Sequence, residues 1–163
     1  MSAVLVRSKG KFEMPSFLDG VIETAAYSRW LGRKAVAHVK RDRSRGRICT
    51  VSSYKVAIHQ AVVDSKGLDA YTGELLDWRL LSQYRNEESR EGRHVYRRGF
   101  ALLPSVDHEI ASNAASRFRI CAWRTNDAKN DLSPEQFVAL CGRVLVHAGW
   151  QVTSPQVELE ASC

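Results

Sequence analysis

Apolar and polar positions alternate along this chain with two different periods, and the change of period divides it. From Phe17 onward Leu18, Ile22, Ala25, Ala26, Trp30 and Leu31 recur at helical spacing, with Ser16 and Asp19 as an approximate capping box after Pro15. The pattern predicts a long helix from Phe17 that ends at Ser44-Arg45-Gly46. A second helix is expected from Ser52 or Ser53, with Val56, Ala57, Ile58, Ala61 and Val62 inward, stopping at Lys66-Gly67. Then the period shortens. Asp69 to Leu75 reads as a tight hairpin turn with Gly73 taking positive φ, and Asn86–Arg93 as a polar loop. Arg98–Val106 reads as a strand broken near its end by Pro104, and Arg117–Trp123 as a half-buried strand with a basic outer face. Ser133-Pro134-Glu135-Gln136 opens a last helix carrying Phe137, Leu140, Val144 and Leu145 and ending near Gly149. Three regions follow: 1–67 helical and basic, 68–150 mixed, and 151–163 a short tail.

Charge sharpens this picture. Between Arg29 and Arg47 stand Arg29, Arg33, Lys34, Lys40, Arg41, Arg43, Arg45 and Arg47 against the single acid Asp42. The whole 163-residue chain carries +6, so the remainder is close to neutral. A localised positive strip beside a neutral body is the footprint of a polyanion partner, and a solvated helix face is the plain alternative. No apolar run approaches the ~20 residues that span a bilayer, and the opening residues are too weakly apolar for a signal peptide, so a cytoplasmic protein is expected. The cysteines, Cys49, Cys121, Cys141 and Cys163, form no Cys-x-x-Cys pair. Free thiols are expected, with no structural zinc.

The chemistry concentrates late. Ser105-Val-Asp-His-Glu109 is followed eighteen residues after His108 by Asn126, in Thr125-Asn-Asp-Ala-Lys129. Strand, Asp-His, loop, second strand and Asn-x-x-Lys opening a helix resembles the HNH, or His-Me finger (ββα-metal), endonucleases over about Asp69 to Leu145. The physical logic also stands alone. A histidine titrates near working pH and suits proton abstraction from water, while a carboxylate and an amide oxygen suit a hard cation such as Mg²⁺.

The resemblance implies an α+β fold: N-terminal helices, the first long and basic, then a ββα-metal finger and a C-terminal helix. It implies a metal-dependent endonuclease, with DNA the expected substrate. His108 would be the general base, and Asp107 and Asn126 would hold Mg²⁺ or Mn²⁺. Lys129 would make a phosphate or structural contact. Arg124 and Arg117 would flank the site, and Arg33, Lys40 and Arg43 would grip the backbone from the basic helix. Whether two copies assemble to cut both strands is left open.

Two departures stand out. The second asparagine of many members falls at about Ser116 or Arg117, with Asn113 nearby, which leaves the group that orients His108 unassigned. In place of zinc knuckles, the Asp69–Gly73 turn would be braced by hydrogen bonds and by packing of Tyr71, Leu75 and Trp78. A non-catalytic nucleic-acid-binding module on the same scaffold is the alternative. His94 is kept as a phosphate contact. His38 and His59 are read as packing or surface residues, His147 as a helix-end residue, and Trp30, Trp78, Trp123 and Trp150 as core or groove positions.

Overall fold

A computed structural model of the chain describes residues 11–84, 87, 88, 91, 95, 98–110 and 117–153. His94, Asn113, Ser116 and most of the predicted polar loop lie outside the described residues. The chain groups into two compact units, Met1–Ala128 and Lys129–Cys163. The fold is α+β, helices first and then a ββα element.

In the first unit a 3₁₀ turn, Ser16–Leu18, precedes helix α1, Thr24–Ser44. The helix starts at Thr24 and not at the predicted Phe17. Gly20 at φ +71° breaks the run, and Glu23 in extended backbone becomes the residue before the helix. The predicted end holds, with Gly46 at φ +79° donating to Arg43 and the Arg47 amide returning to the Asp42 carbonyl. Helix α2, Val51–Ser65, begins slightly earlier than predicted because Thr50 and Ser53 form a reciprocal cap. Lys66 in the left-handed region ends it.

Two antiparallel strands follow, β1 Pro104–Ile110 and β2 Arg117–Ala122. Pro104 opens β1 rather than interrupting it, since a residue without an N–H is tolerated at the first position of a strand. The register pairs Val106 with Ile120, Asp107 with Arg119 and His108 with Phe118, and slips between His108 and Ile110. Helix α3, Trp123–Lys129, starts at once from β2. Asn126 therefore sits inside a helix and does not open it.

The core lies where α1, α2 and one face of the ribbon meet. Tyr27, Trp30, Leu31, Ala35 and Val39 of α1 pack with Tyr54, Ile58 and Val62 of α2, and with Val106, Phe118 and Ile120. Among the described residues no helix is long and apolar enough to cross a membrane, and Cys49, Cys121 and Cys141 are free thiols.

The turn at Asp69 is braced without cysteine. Buried Asp69 accepts from the Tyr71 and Thr72 amides at 2.7 and 3.2 Å. Its other oxygen accepts from the Ala122 amide at 2.8 Å and from Thr125 Oγ1 at 2.7 Å. One carboxylate thus ties the turn to the end of β2 and the start of α3, and the Ala70 amide adds a bond to the Ile120 carbonyl. Trp78 is buried as expected, but the Leu75 side chain is 70% exposed and contributes through its backbone bridge to Leu68 and not through packing.

In the second unit, helix α4, Pro134–His147, has the predicted cap: Ser133 and Gln136 bond reciprocally around Pro134. Of the apolar residues it carries, Leu140, Val144 and Leu145 are exposed, and so is Trp150, which was expected in the core or a groove.

Losing the Asp69 carboxylate strands four donors, at least two of them buried. Asp69→Ala should cost roughly 3 kcal/mol or more in urea unfolding, whereas Leu75→Ala should change stability by less than about 0.5 kcal/mol.

Candidate functional site

Strand alternation decides the site. Successive side chains of β1 leave opposite faces of the ribbon, so Val106 and His108 point with Phe118 and Ile120 toward α1 and α2. Ser105, Asp107 and Glu109 take the other face, where Arg119 donates to Glu109 at 2.7 Å. Asp107 and His108 are adjacent in sequence but back to back in the fold.

On the core-facing side, His108 Nε2 lies 2.9 Å from Asp42 Oδ2. Asp42, the one acid of the basic strip, is fully buried and also accepts from Tyr54 Oη at 2.6 Å. Arg47 stands 3.6 Å from its other oxygen. Burial alone would raise the Asp42 pKa, but the Tyr54 hydrogen bond, the nearness and hydrogen bond of His108, and Arg47 together hold it below the usual carboxylate value. An ionised carboxylate only accepts, so Nε2 must be the protonated ring nitrogen and Nδ1 carries the lone pair. Among the described residues Nδ1 takes no hydrogen bond. Burial lowers the His108 pKa, and Asp42 only partly offsets it, so the ring is neutral near pH 7. Its side chain keeps 16% exposure, with the rings of Phe118 and His38 at 4.7 and 4.9 Å.

His38, read from sequence as a packing or surface residue, is buried, with an Arg41 nitrogen 2.7 Å from its Nδ1. Burial first, then Arg41, His108 and Lys34, push its pKa down to about 3.

On the outer face Asp107 is 6% exposed and accepts from Tyr71 Oη at 2.6 Å. The Tyr71 pKa is raised by burial and by that bond, which keeps it a donor. Asn126 Nδ2 donates to Ser105 Oγ at 3.2 Å. Ser105 and Asp107 share a strand face two residues apart, roughly 7 Å along the ribbon. Asn126 is thereby brought to the Asp107 side, away from His108.

Among the described residues no three His, Cys, Asp or Glu side chains group to hold a metal ion. The outer face instead supplies oxygen: the Asp107 carboxylate and the Asn126 amide oxygen, which accepts no bond among the described residues. These are the donor types a hard divalent cation takes, the amide held at Ser105 and the carboxylate at Tyr71.

The flanking cations separate into groups. Arg33 lines a cavity together with Arg29, Lys34 and Asn126, and Lys40 is exposed on α1. Arg43 donates twice to the Cys49 carbonyl, at 3.1 and 2.8 Å, and so serves the α1–α2 junction. Arg124 pairs with Glu74, and Arg117 is exposed at the start of β2. Lys129 opens the second unit and donates to the Leu132 carbonyl at 2.6 Å. Asp42, Tyr54 and Tyr71 escape a motif reading. Asp42 nonetheless carried a signal, because it continues the Leu31, Ala35, Val39 stripe at helical spacing and is the lone acid on it.

No family model, curated protein or solved structure matches the chain.

The depressed pKa values make acid lability predictable. Between about pH 6.5 and 3 unfolded His38 binds a proton that the folded state refuses, so stability falls as pH drops through that window. The slope from His38 alone should approach about 1.4 kcal/mol per pH unit. Loss of the Asp42 ion pairs adds in the same direction as its carboxyl protonates. Urea unfolding at pH 7.5, 5.5 and 4.5 should show a steeper loss in wild type than in His38→Leu; parallel curves would refute the assignment.

Proposed function

We propose that the chain is a divalent-metal-dependent endonuclease of the His-Me finger type that hydrolyses nucleic-acid phosphodiester bonds, most simply those of DNA. The observation that carries this reading is the Asp42–His108 hydrogen bond, which fixes the tautomer a general base needs. The Nδ1 lone pair accepts a proton from water as the water oxygen attacks phosphorus and the P–O bond to the leaving strand breaks. Asp42 compensates the imidazolium that forms. The group left open by the absent second asparagine is, on this reading, a carboxylate from the basic helix. Asp107 and Asn126 would hold the cation, which neutralises charge growing on the phosphate. Tyr71 orients Asp107, and Ser105 orients Asn126.

One observation favours a second reading. His108 is mostly enclosed by Phe118, His38 and Tyr54, and its bond to Asp42 also serves to pin α1 on β1. A non-catalytic nucleic-acid-binding module needs no more than that.

Cleavage of plasmid or labelled oligonucleotide separates the two. The nuclease reading expects Mg²⁺- or Mn²⁺-dependent cutting that EDTA stops and that His108→Ala lowers by about 10²- to 10⁴-fold. Asp42→Asn should cause a comparable loss while binding in EDTA persists. Because the base is neutral below its ordinary pKa, the acid limb of the rate profile should fall below pH 6.5. Binding that survives chelation, without cutting under either metal, would establish the module instead.

A further inference from the structure

A cavity of about 670 Å³ is lined on the outer face by Ser105 and Asn126, and the elements around it differ in chemistry. One wall is α1, which contributes Arg29, Arg33 and Lys34 at helical positions i, i+4 and i+5. Among the described residues none of these three forms an ion pair with an acid. Lys34 is half-buried, and burial together with Arg41 and Arg33 lowers its pKa, so an anion placed there would be doubly welcome. The facing wall holds Trp123 and Tyr84, both half-buried and packed edge-to-face with centroids 5.4 Å apart, and beside them Asn126.

Three uncompensated cations opposite two aromatic rings select a ligand with both an anionic and a flat apolar part. The volume lies within the roughly 300–1,000 Å³ of sites that enclose one small molecule. A paired duplex can offer its phosphates to such a cavity but keeps its bases stacked. An unpaired nucleotide offers both. We propose, resting on the nuclease reading, that this cavity receives one unpaired nucleotide of the substrate strand. Its phosphate meets Arg29, Arg33 and Lys34, and its base meets Trp123 and Tyr84. Asn126 belongs both to the cavity and to the candidate cation site, so the seated nucleotide adjoins the bond to be cut. The preferred substrate class is then single-stranded, bulged or gapped nucleic acid, because extruding a base from intact duplex costs a few kcal/mol.

The test is fluorescence anisotropy of the full chain in EDTA, with a labelled 12-nucleotide oligo(dT) and a fully paired duplex of the same length. The expected result is at least about tenfold tighter binding of the single strand. Arg33→Ala/Lys34→Ala should weaken both substrates, as loss of phosphate contacts does. Trp123→Ala and Tyr84→Ala should each reduce the single-strand preference, by roughly 5- to 100-fold if a base stacks there. Having two aromatic variants guards against one that fails to fold. Equal affinity for duplex, or an unchanged ratio in both aromatic variants, overturns the proposal. Thymidine monophosphate competing as well per molecule as the 12-mer also overturns it, since the cavity would then take a free nucleotide and not a strand. A parallel assay with Mg²⁺ keeps the two claims apart. Cutting without strand preference sinks only the unpaired-nucleotide proposal, and strand preference without cutting under Mg²⁺ or Mn²⁺ sinks the nuclease reading.

Discussion

A carboxylate with no solvent contact sits at the junction of three elements, and the first unit is organised around satisfying it. Asp42 comes from α1, Tyr54 from α2 and His108 from β1, and they converge on one oxygen at 2.6 and 2.9 Å. Burying an unpaired charge is costly enough that removing either partner would leave a large deficit. The geometry is therefore specified, and not just favoured: the apolar contacts of α1, α2 and the ribbon would tolerate small slides, but this hydrogen-bonded set would not. The imidazole whose tautomer bears on function is held by the same bond that fixes the packing of helix on strand.

Much of the architecture was legible because it rests on local signals. The Ser133 cap, the stop at Gly46, the alternation of Arg117–Ala122 and the turn after Asp69 are each decided by neighbours in sequence. The misplaced boundaries share a cause. Phe17–Ile22 has helical spacing, yet Gly20 takes a left-handed conformation that the spacing does not reveal. Asn126 resembles a cap, but α3 springs directly from the strand at Trp123, whose amide bonds to the Leu103 carbonyl. Asp42 was hidden for the opposite reason. Its partners stand 12 and 66 residues away, and only the folded chain brings a lone acid on an apolar stripe to a histidine.

The candidate site illustrates how far a motif reaches. Asp-His in sequence suggests two groups acting at one point, yet a strand sends neighbours to opposite faces. The ribbon thus divides the labour, with His108 and Asp42 on one side and Asp107, Asn126 and Ser105 on the other. The register slip just after His108 is where a strand bends and re-aims its side chains. Asp69 braces the other end of the ribbon, where its four hydrogen bonds tie the turn to Ala122 and Thr125.

The basic strip, uniform as a run of charge, is two devices in space. Toward its C-terminal end three cations are engaged internally, Arg41 by His38, Arg43 by the Cys49 carbonyl and Arg47 by Asp42. Toward its N-terminal end Arg29, Arg33 and Lys34 face a cavity and pair with no acid among the described residues. Net charge cannot distinguish these roles, because both halves count equally toward the total. What distinguishes them is whether a group inside the protein already engages the cation. A cation already bonded inside the protein contributes to the fold, and one left with open donors beside a cavity contributes to whatever anion enters. By that criterion the positive charge left open beside a cavity lies in the first half of the strip, and the placement of the histidine rests on the second.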